Sequence, residues 1–180
     1  GCVFGPNSHI SASLIGKHCT IAGRVEKSVI GDHTRTHSNC RLIASTCGTH
    51  CNLKGEIENS TLGHHIETYA SCIIHDSTCG NYCKLGAHIN RTRMGNRVNA
   101  KYGDTNLLDG EIGNDVNIAA GVTTFNFDGV EKKKTVIGDG TFVGGNVAII
   151  AARPTRTIGN NVYIVAGLTI RVDIPDNTYV

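Results

Sequence analysis

The chain is written in hexads. Ile112-Gly113-Asn114-Asp115-Val116-Asn117-Ile118, Ile137-Gly138-Asp139-Gly140-Thr141-Phe142-Val143 and Ile158-Gly159-Asn160-Asn161-Val162-Tyr163-Ile164 each read aliphatic, Gly, two polar, small, any, aliphatic. A bulky aliphatic every sixth residue, with a small residue four places on, suits a triangular coil. Each short flat strand points one large side chain inward, and Gly is expected to relax the backbone at the corner. The pattern predicts an all-β chain folded as a parallel β-solenoid.

A longer period overlies the hexads. Residues 29–60 align with 61–92, setting Ile30-Gly31 on Leu62-Gly63, Cys40 on Cys72, Cys47-Gly48 on Cys79-Gly80, Cys51 on Cys83, Leu53 on Leu85 and Ile57 on Ile89. Residues 1–28 join as a third copy, with Phe4, Ile10, Ile15-Gly16, Cys19, Ile21 and Val25 falling on Thr36, Leu42, Cys47-Gly48, Cys51, Leu53 and Ile57. Six inward positions in each copy, at three per turn, give two slightly shortened coils per repeat. One coil cannot bury a core, so the units must stack. The expectation is a single β-helix domain over 1–180, with three repeats of this length in 1–92 and further coils in 93–180.

Composition agrees. Aromatic residues make up 5% and Trp is absent, which is too little for a thick globular core, whereas an axial stack of Ile, Val and Leu needs no more. No apolar run approaches the roughly 18 residues of a membrane span, and the first residues lack a charged then apolar opening. The chain therefore reads as soluble and cytoplasmic, with no membrane partner. A formal charge of +2, with Lys and Arg scattered apart from Lys132, Lys133 and Lys134, gives no footprint for nucleic acid.

Eight Cys and nine His invite a metal or disulfide reading, which the repeat answers. Cys19, Cys40, Cys51, Cys72 and Cys83 take the small inward position of their hexads, and Cys47 and Cys79 the bulky one. Free Cys packs as a small hydrophobe, so a reduced core is expected. Cys47/Cys51 with Cys79/Cys83 has the spacing of a zinc knuckle, but residues four apart on one strand would be too distant to chelate. His18, His33, His50 and His64 fall on polar corner positions facing solvent. A zinc-dependent solenoid enzyme would carry His at matched positions on late coils, and none follows His88. No metal site is assigned.

The rhythm breaks after Ala119-Ala120-Gly121-Val122-Thr123-Thr124 and resumes at Val136-Ile137-Gly138, leaving a projecting loop over residues 125–135. A polar excursion from a rigid scaffold is where function usually lies, which makes this loop a candidate active-site arm. Its three Lys either solvate it or bind the phosphates of a sugar phosphate or of coenzyme A.

Glu111-Ile112-Gly113-Asn114-Asp115-Val116-Asn117-Ile118, Ala120-Gly121, Asn126-Phe127-Asp128-Gly129, Lys132, Lys134-Thr135, Ile137-Gly138-Asp139, Phe142-Val143-Gly144 and Ala166-Gly167 resemble the carboxy-terminal acetyltransferase domain of the bifunctional N-acetylglucosamine-1-phosphate uridyltransferase/glucosamine-1-phosphate acetyltransferase, a hexapeptide-repeat acyltransferase family. Dense matches cover residues 111–172, and upstream the agreement is loose. The resemblance implies a left-handed parallel β-helix, a homotrimer with active sites between subunits, and acetyl transfer from acetyl-CoA to an amino sugar phosphate. It implies that Asn117 and Asn126 hydrogen-bond the sugar and hold the reacting amine, that Lys132 meets sugar hydroxyls or phosphate, and that Phe127 stands where the family usually has Tyr. Backbone at Ala120 and Ala166, with Gly145 in the place of a Ser, would line the acetyl-CoA channel and offer an N–H to the thioester oxygen.

The chain also departs from the family. The family's general base is a His shortly before a Tyr and a Gly-Asp, whereas the stretch here is Asn99-Ala100-Lys101-Tyr102-Gly103-Asp104-Thr105, so that either Asn99 or Tyr102 takes its place. Neither is a good base near neutral pH. Cys72 and Asn90 stand where the family clamps the sugar phosphate with Arg and Lys, and three residues are added around Arg153-Pro154-Thr155. Two expectations follow. One is an acetyltransferase using Asn126, with Lys101, Tyr102 or a water in place of the base; the other is a catalytically inactive trimeric β-helix scaffold.

Overall fold

The computed structural model describes residues 1–151 and 155–180, which contain short strands and no helix. Arg153 and Pro154, part of the expected insertion, lie outside the described residues. No helix among the described residues is long and apolar enough to cross a membrane. Nine coils contribute one strand to each of three parallel sheets and the last coil one to each of two, giving ten, ten and nine strands. Val3–Phe4 lies on the first face, His9–Ser11 on the second and Leu14–Ile15 on the third, after which the chain returns with Thr20–Ile21 beside Val3–Phe4. The molecule is a left-handed parallel β-helix of triangular section. Each strand turns one residue into the axis, and Ile21, Val25, Leu42, Leu53, Ile57, Leu85, Ile89, Leu107 and Ile149 are fully buried there.

Coil length alternates. Along the first face the register runs from Val3 to Thr20, from Thr20 to Arg35, from Arg35 to Asn52, from Asn52 to Glu67 and from Glu67 to Lys84, a long step followed each time by a shorter one. The difference arises at the corner between the first and second faces, here the variable corner. There the chain spends four residues in the long coils (5–8, 37–40, 69–72) and two in the short ones (22–23, 54–55, 86–87).

The corner between the third and first faces shows why the hexad carries Gly. Gly16, Gly31, Gly48, Gly63, Gly80, Gly95, Gly113, Gly138 and Gly159 stack in one column without positive φ, contrary to the expectation that Gly relaxes the backbone there. The left-handed residue comes two places later, at His18, His33, His50, His65, Tyr82, Arg97 and Asp115, with φ from 56° to 60°. What the column demands is the absence of a Cβ. A side chain at Gly31 would sit 2.6 Å from the carbonyl carbon of Gly48. The space is taken by the backbone of the next coil and, at several corners, by the side chain that caps it: Asn81, Asn96 and Asn114 Oδ1 accept the N–H groups of His64, Asn81 and Asn96 at 2.8, 2.8 and 2.9 Å. On the outside, His18, His33, His50, His65 and Tyr82 stack ring on ring at 4.6–5.0 Å. His64 is not in that stack; its Nδ1 instead accepts the Thr49 N–H at 3.0 Å.

At the corner between the second and third faces a buried hydroxyl ladder replaces the glycines. Ser28, Ser45, Ser60 and Ser77 each donate to the carbonyl two residues earlier, at 2.6–2.7 Å. Each also accepts the backbone N–H of its counterpart one coil on, at 3.1–3.2 Å. Ser60→Ala would leave the Ser77 N–H without its acceptor, and a buried unsatisfied donor costs about 1–3 kcal/mol. We expect a lower thermal midpoint for Ser60→Ala than for Ser38→Ala, whose side chain is exposed on the variable corner. Equal midpoints would show that the ladder carries no stability.

Candidate functional site

The ladder ends where the arm begins. Thr92 Oγ1 accepts the Gly110 N–H at 3.1 Å, and Gly110 has no hydroxyl to pass on. One coil later the chain leaves the solenoid at Asn126. It forms a small hairpin in which Phe127 pairs with Lys132 and the Asp128 carboxylate accepts the N–H groups of Val130 and Glu131 at 2.9 and 2.8 Å. The Lys133 N–H donates to the Asn126 carbonyl at 2.6 Å and closes the neck of the hairpin. Phe127 and Lys132 are both exposed on it.

The base of the arm is pinned by a residue that the sequence reading did not single out. The Asn126 side-chain amide donates to Asp109 Oδ2. Arg91 grips the same carboxylate at two points, 2.6 and 2.9 Å. The Arg91 hydrogen bonds, then that from Asn126 and the charge of Lys132, hold the Asp109 carboxyl below its ordinary range against the opposing effect of burial. Around this group lies a cleft of about 420 Å³ lined by Asp76, Arg91, Arg93, Asp109, Glu111 and Lys134, with Lys134 ion-paired to Glu111. The one available signal was positional: Asp76, Arg91 and Asp109 succeed one another at the left-handed position of the serine corner, φ 47–50°, directly below Asn126.

Asn117 is elsewhere. It projects from the first face, where its Oδ1 accepts the Asn99 amide at 2.7 Å, and the buried Asn99 Oδ1 has no partner among the described residues. In a triangular section the serine corner lies opposite the first face. One chain therefore does not bring Asn117 and Asn126 together. Nor does it join Asn126 to Tyr102, which stands exposed on the variable corner with the Lys101 ammonium 5.4 Å from its ring centre.

Ala120, Gly145 and Ala166 do come together. They occupy the variable corner of three successive coils, tied by the Asn146 N–H to the Ala120 carbonyl and the Gly167 N–H to the Gly145 carbonyl, both at 2.8 Å. A Cβ on Gly145 would meet only the Ala120 carbonyl, at 3.4 Å, so the corner has an open flank. The N–H groups of Ala120, Gly145 and Ala166 donate to no acceptor among the described residues. Tyr102 stands on this corner one coil earlier, and Phe142, Tyr163 and Tyr179 stack at 4.7 and 5.0 Å on the adjoining first face.

All eight cysteines are free, and seven are buried. Their spacing suggests one strand, but Cys47 and Cys51 flank the glycine corner from two faces. The Cys51 thiol beside it and then burial push the Cys47 thiol up, while the Cys51 Sγ–H donates to the Gly48 and Gly63 carbonyls at 3.5 and 3.4 Å. Cys79 and Cys83 repeat the arrangement two coils on, with Leu62 and Ile66 between. At about 4.8 Å per coil the two pairs are too far apart to share one tetrahedral ion. Glu56, Glu58 and His75 also approach one another, but Arg41 already binds both carboxylates, at 2.7 and 3.2 Å.

No protein-family model matches the chain. Over 74 residues, 41% of its length, it is 50% identical to the bifunctional protein GlmU of Trichlorobacter lovleyi, of which this stretch covers 15%. Over 68 residues, 38% of its length, it is 53% identical to the bifunctional protein GlmU of Thermoanaerobacter pseudethanolicus, of which it covers 14%. The chain thus spans a small part of the curated relatives it matches, and the resemblance read from its C-terminal hexads is met by proteins about half identical to it there. Among solved structures, the UDP-N-acetylglucosamine acyltransferase of Campylobacter jejuni superposes on 95% of this chain and 68% of its own with a TM-score of 0.53 at 17% identity, a likeness of fold.

Proposed function

We propose that the chain is an acetyl-CoA-dependent N-acetyltransferase acting on an amino sugar phosphate, with glucosamine 1-phosphate as the reference acceptor. The observation that carries this reading is the stack of Ala120, Gly145 and Ala166, whose unspent N–H groups suit the amides of an extended pantetheine arm. The resemblance of the C-terminal hexads, with relatives about half identical there, supports the acceptor class.

Because Asn117 and Asn126 lie on opposite sides of one chain, the reading needs a homotrimer in which the arm of one copy meets the first face and variable corner of the next. A closed threefold ring makes three such sites. Acetyl-CoA supplies the acetyl group as a thioester. In each site the Gly145 N–H stabilises charge on the thioester oxygen. Asn126 holds the acceptor amine, Lys132 meets the phosphate or sugar hydroxyls, and Phe127 flanks the ring. Asn117, half-buried on the first face, suits a sugar hydroxyl. As the amine nitrogen bonds to the thioester carbon the C–S bond breaks and the coenzyme A thiolate leaves; the proton lost by the amine passes to that thiolate, relayed by Tyr102 or water. Absence of a well-matched base typically costs about 10²–10⁴ in rate, so a slow enzyme is expected.

The deciding experiment is mass-spectrometric detection of acetylated product from acetyl-CoA with glucosamine 1-phosphate, run in parallel with galactosamine 1-phosphate. Mass detection avoids thiol reagents, which would report the protein's own cysteines. Product with either acceptor is the expected result, and folded trimer giving none with both would overturn the assignment.

A further inference from the structure

We propose that Asp109, braced by Arg91, is a positioning residue that fixes which end of the Asn126 amide faces the acceptor amine. The inference rests on the acetyltransferase reading and goes beyond it, since it assigns a role to two residues outside the arm.

A side-chain amide has two unlike ends, an oxygen that accepts and an NH₂ that donates. An ionised carboxylate can only accept. With Asp109 below it, Asn126 must therefore turn its NH₂ inward, and Oδ1 is left as the outward group. That choice matters for an attacking amine. An outward oxygen accepts an N–H of the nucleophile and leaves the nitrogen lone pair free to reach the thioester carbon. An outward NH₂ would instead donate to that lone pair and occupy it.

The brace makes the choice rigid. Arg91 binds Asp109 at two points, which fixes the carboxylate plane, and Arg91 Nη1 donates to Asn90 Oδ1 at 2.7 Å, which fixes the guanidinium. Asp109 also holds the left-handed conformation of its corner, φ 49°, which a short polar residue tolerates well. Its carboxyl stays ionised to lower pH than the ordinary Asp value of 3.8. The coupling is accordingly present above that value and is lost as pH falls through the lowered folded value.

The test pairs kinetics with a readout independent of activity. In protein labelled with ¹⁵N-asparagine, the Asn126 side-chain resonance, identified by its loss in Asn126→Asp, is expected at a position displaced by the carboxylate. It should move when Asp109 titrates at acid pH, and Asp109→Asn should abolish both effects. In the acetyl-transfer assay Asp109→Asn, which keeps the shape but allows either amide orientation, is expected to lower kcat by about 10- to 100-fold, the range a misoriented reacting group costs, with KM for acetyl-CoA unchanged. Arg91→Lys, which retains charge without the two-point grip, should fall between wild type and Asp109→Asn. An Asn126 resonance indifferent to Asp109→Asn would overturn the proposal, as would an unchanged kcat in that variant. If the wild type transfers no acetyl group, the functional reading fails, while the resonance still decides whether Asp109 sets the amide.

Discussion

Asn126→Ala should lower the rate of acetyl transfer by about 10²–10³, the usual loss when one preorganised hydrogen-bonding group is removed from the reacting centre. Among the described residues the side chain reaches only Asp109, and the hairpin neck is closed by backbone, through the Lys133 N–H and the Asn126 carbonyl at 2.6 Å. With its neck held by backbone, the arm should keep its place while losing the amide at its base, and the thermal midpoint should move little. Initial rates at saturating acetyl-CoA, with a melting curve on the same sample, separate these effects. A variant within threefold of wild type would remove Asn126 from the chemistry, and one that fails to fold would show the side chain to be structural.

Gly31→Ala should be among the damaging single-methyl changes of fold. The added Cβ would lie 2.6 Å from both the carbonyl carbon and oxygen of Gly48 and 2.8 Å from the Thr49 nitrogen. All three are backbone atoms, so no side chain can swing aside. Relief requires the two coils to part, which breaks bonds such as the Gly31 N–H to the Cys47 carbonyl at 3.0 Å. Overpacking a tight core costs about 1–3 kcal/mol and occasionally more, and an unyielding neighbour puts this case at the upper end. Gly145→Ala, whose nearest contact is 3.4 Å, serves as the control and should cost under about 0.5 kcal/mol, as expected for a surface change without a named defect. Denaturant unfolding followed by circular dichroism decides the matter; identical midpoints for the two variants would refute the packing account.

The fold is legible in the sequence because a solenoid repeats one hexad around its axis, so that Ile112-Gly113, Ile137-Gly138 and Ile158-Gly159 announce their place without any knowledge of contacts. Roles at the corners are harder to read. Gly31 and Gly63 look like conformational glycines until the coil above is in place, and only the stacking shows which of His64 and His65 joins the ring column. Cys47 and Cys51 meet across a bend that the linear spacing hides. The pairing of Asp109 with Asn126 is hidden for a related reason. The two belong to different coils, and a contact between coils can be inferred only once the length of each variable corner is known. Ala120, Gly145 and Ala166 are unevenly spaced along the chain because the excursions intervene, yet they stack.

The alternation of long and short coils gives the molecule a parity. At the variable corner each two-residue turn sits recessed between two longer turns, and the recess at Gly55, about 410 Å³ and bordered by Asn39, Arg41, Ser71 and Cys72, is one result. Duplicating a single coil would set like turns against each other and erase the recess, whereas duplicating a long coil together with its short neighbour would preserve every neighbour relation. The solenoid can therefore grow or shrink in even steps of about 9.6 Å, two strand spacings at a time. The coils that carry the arm, stepping from Asn99 to Asn117, then to Phe142 and on to Tyr163, keep no such alternation and lie outside this rule. Length can vary at one end of the chain while the other stays fixed, like a ruler graduated on only half its edge.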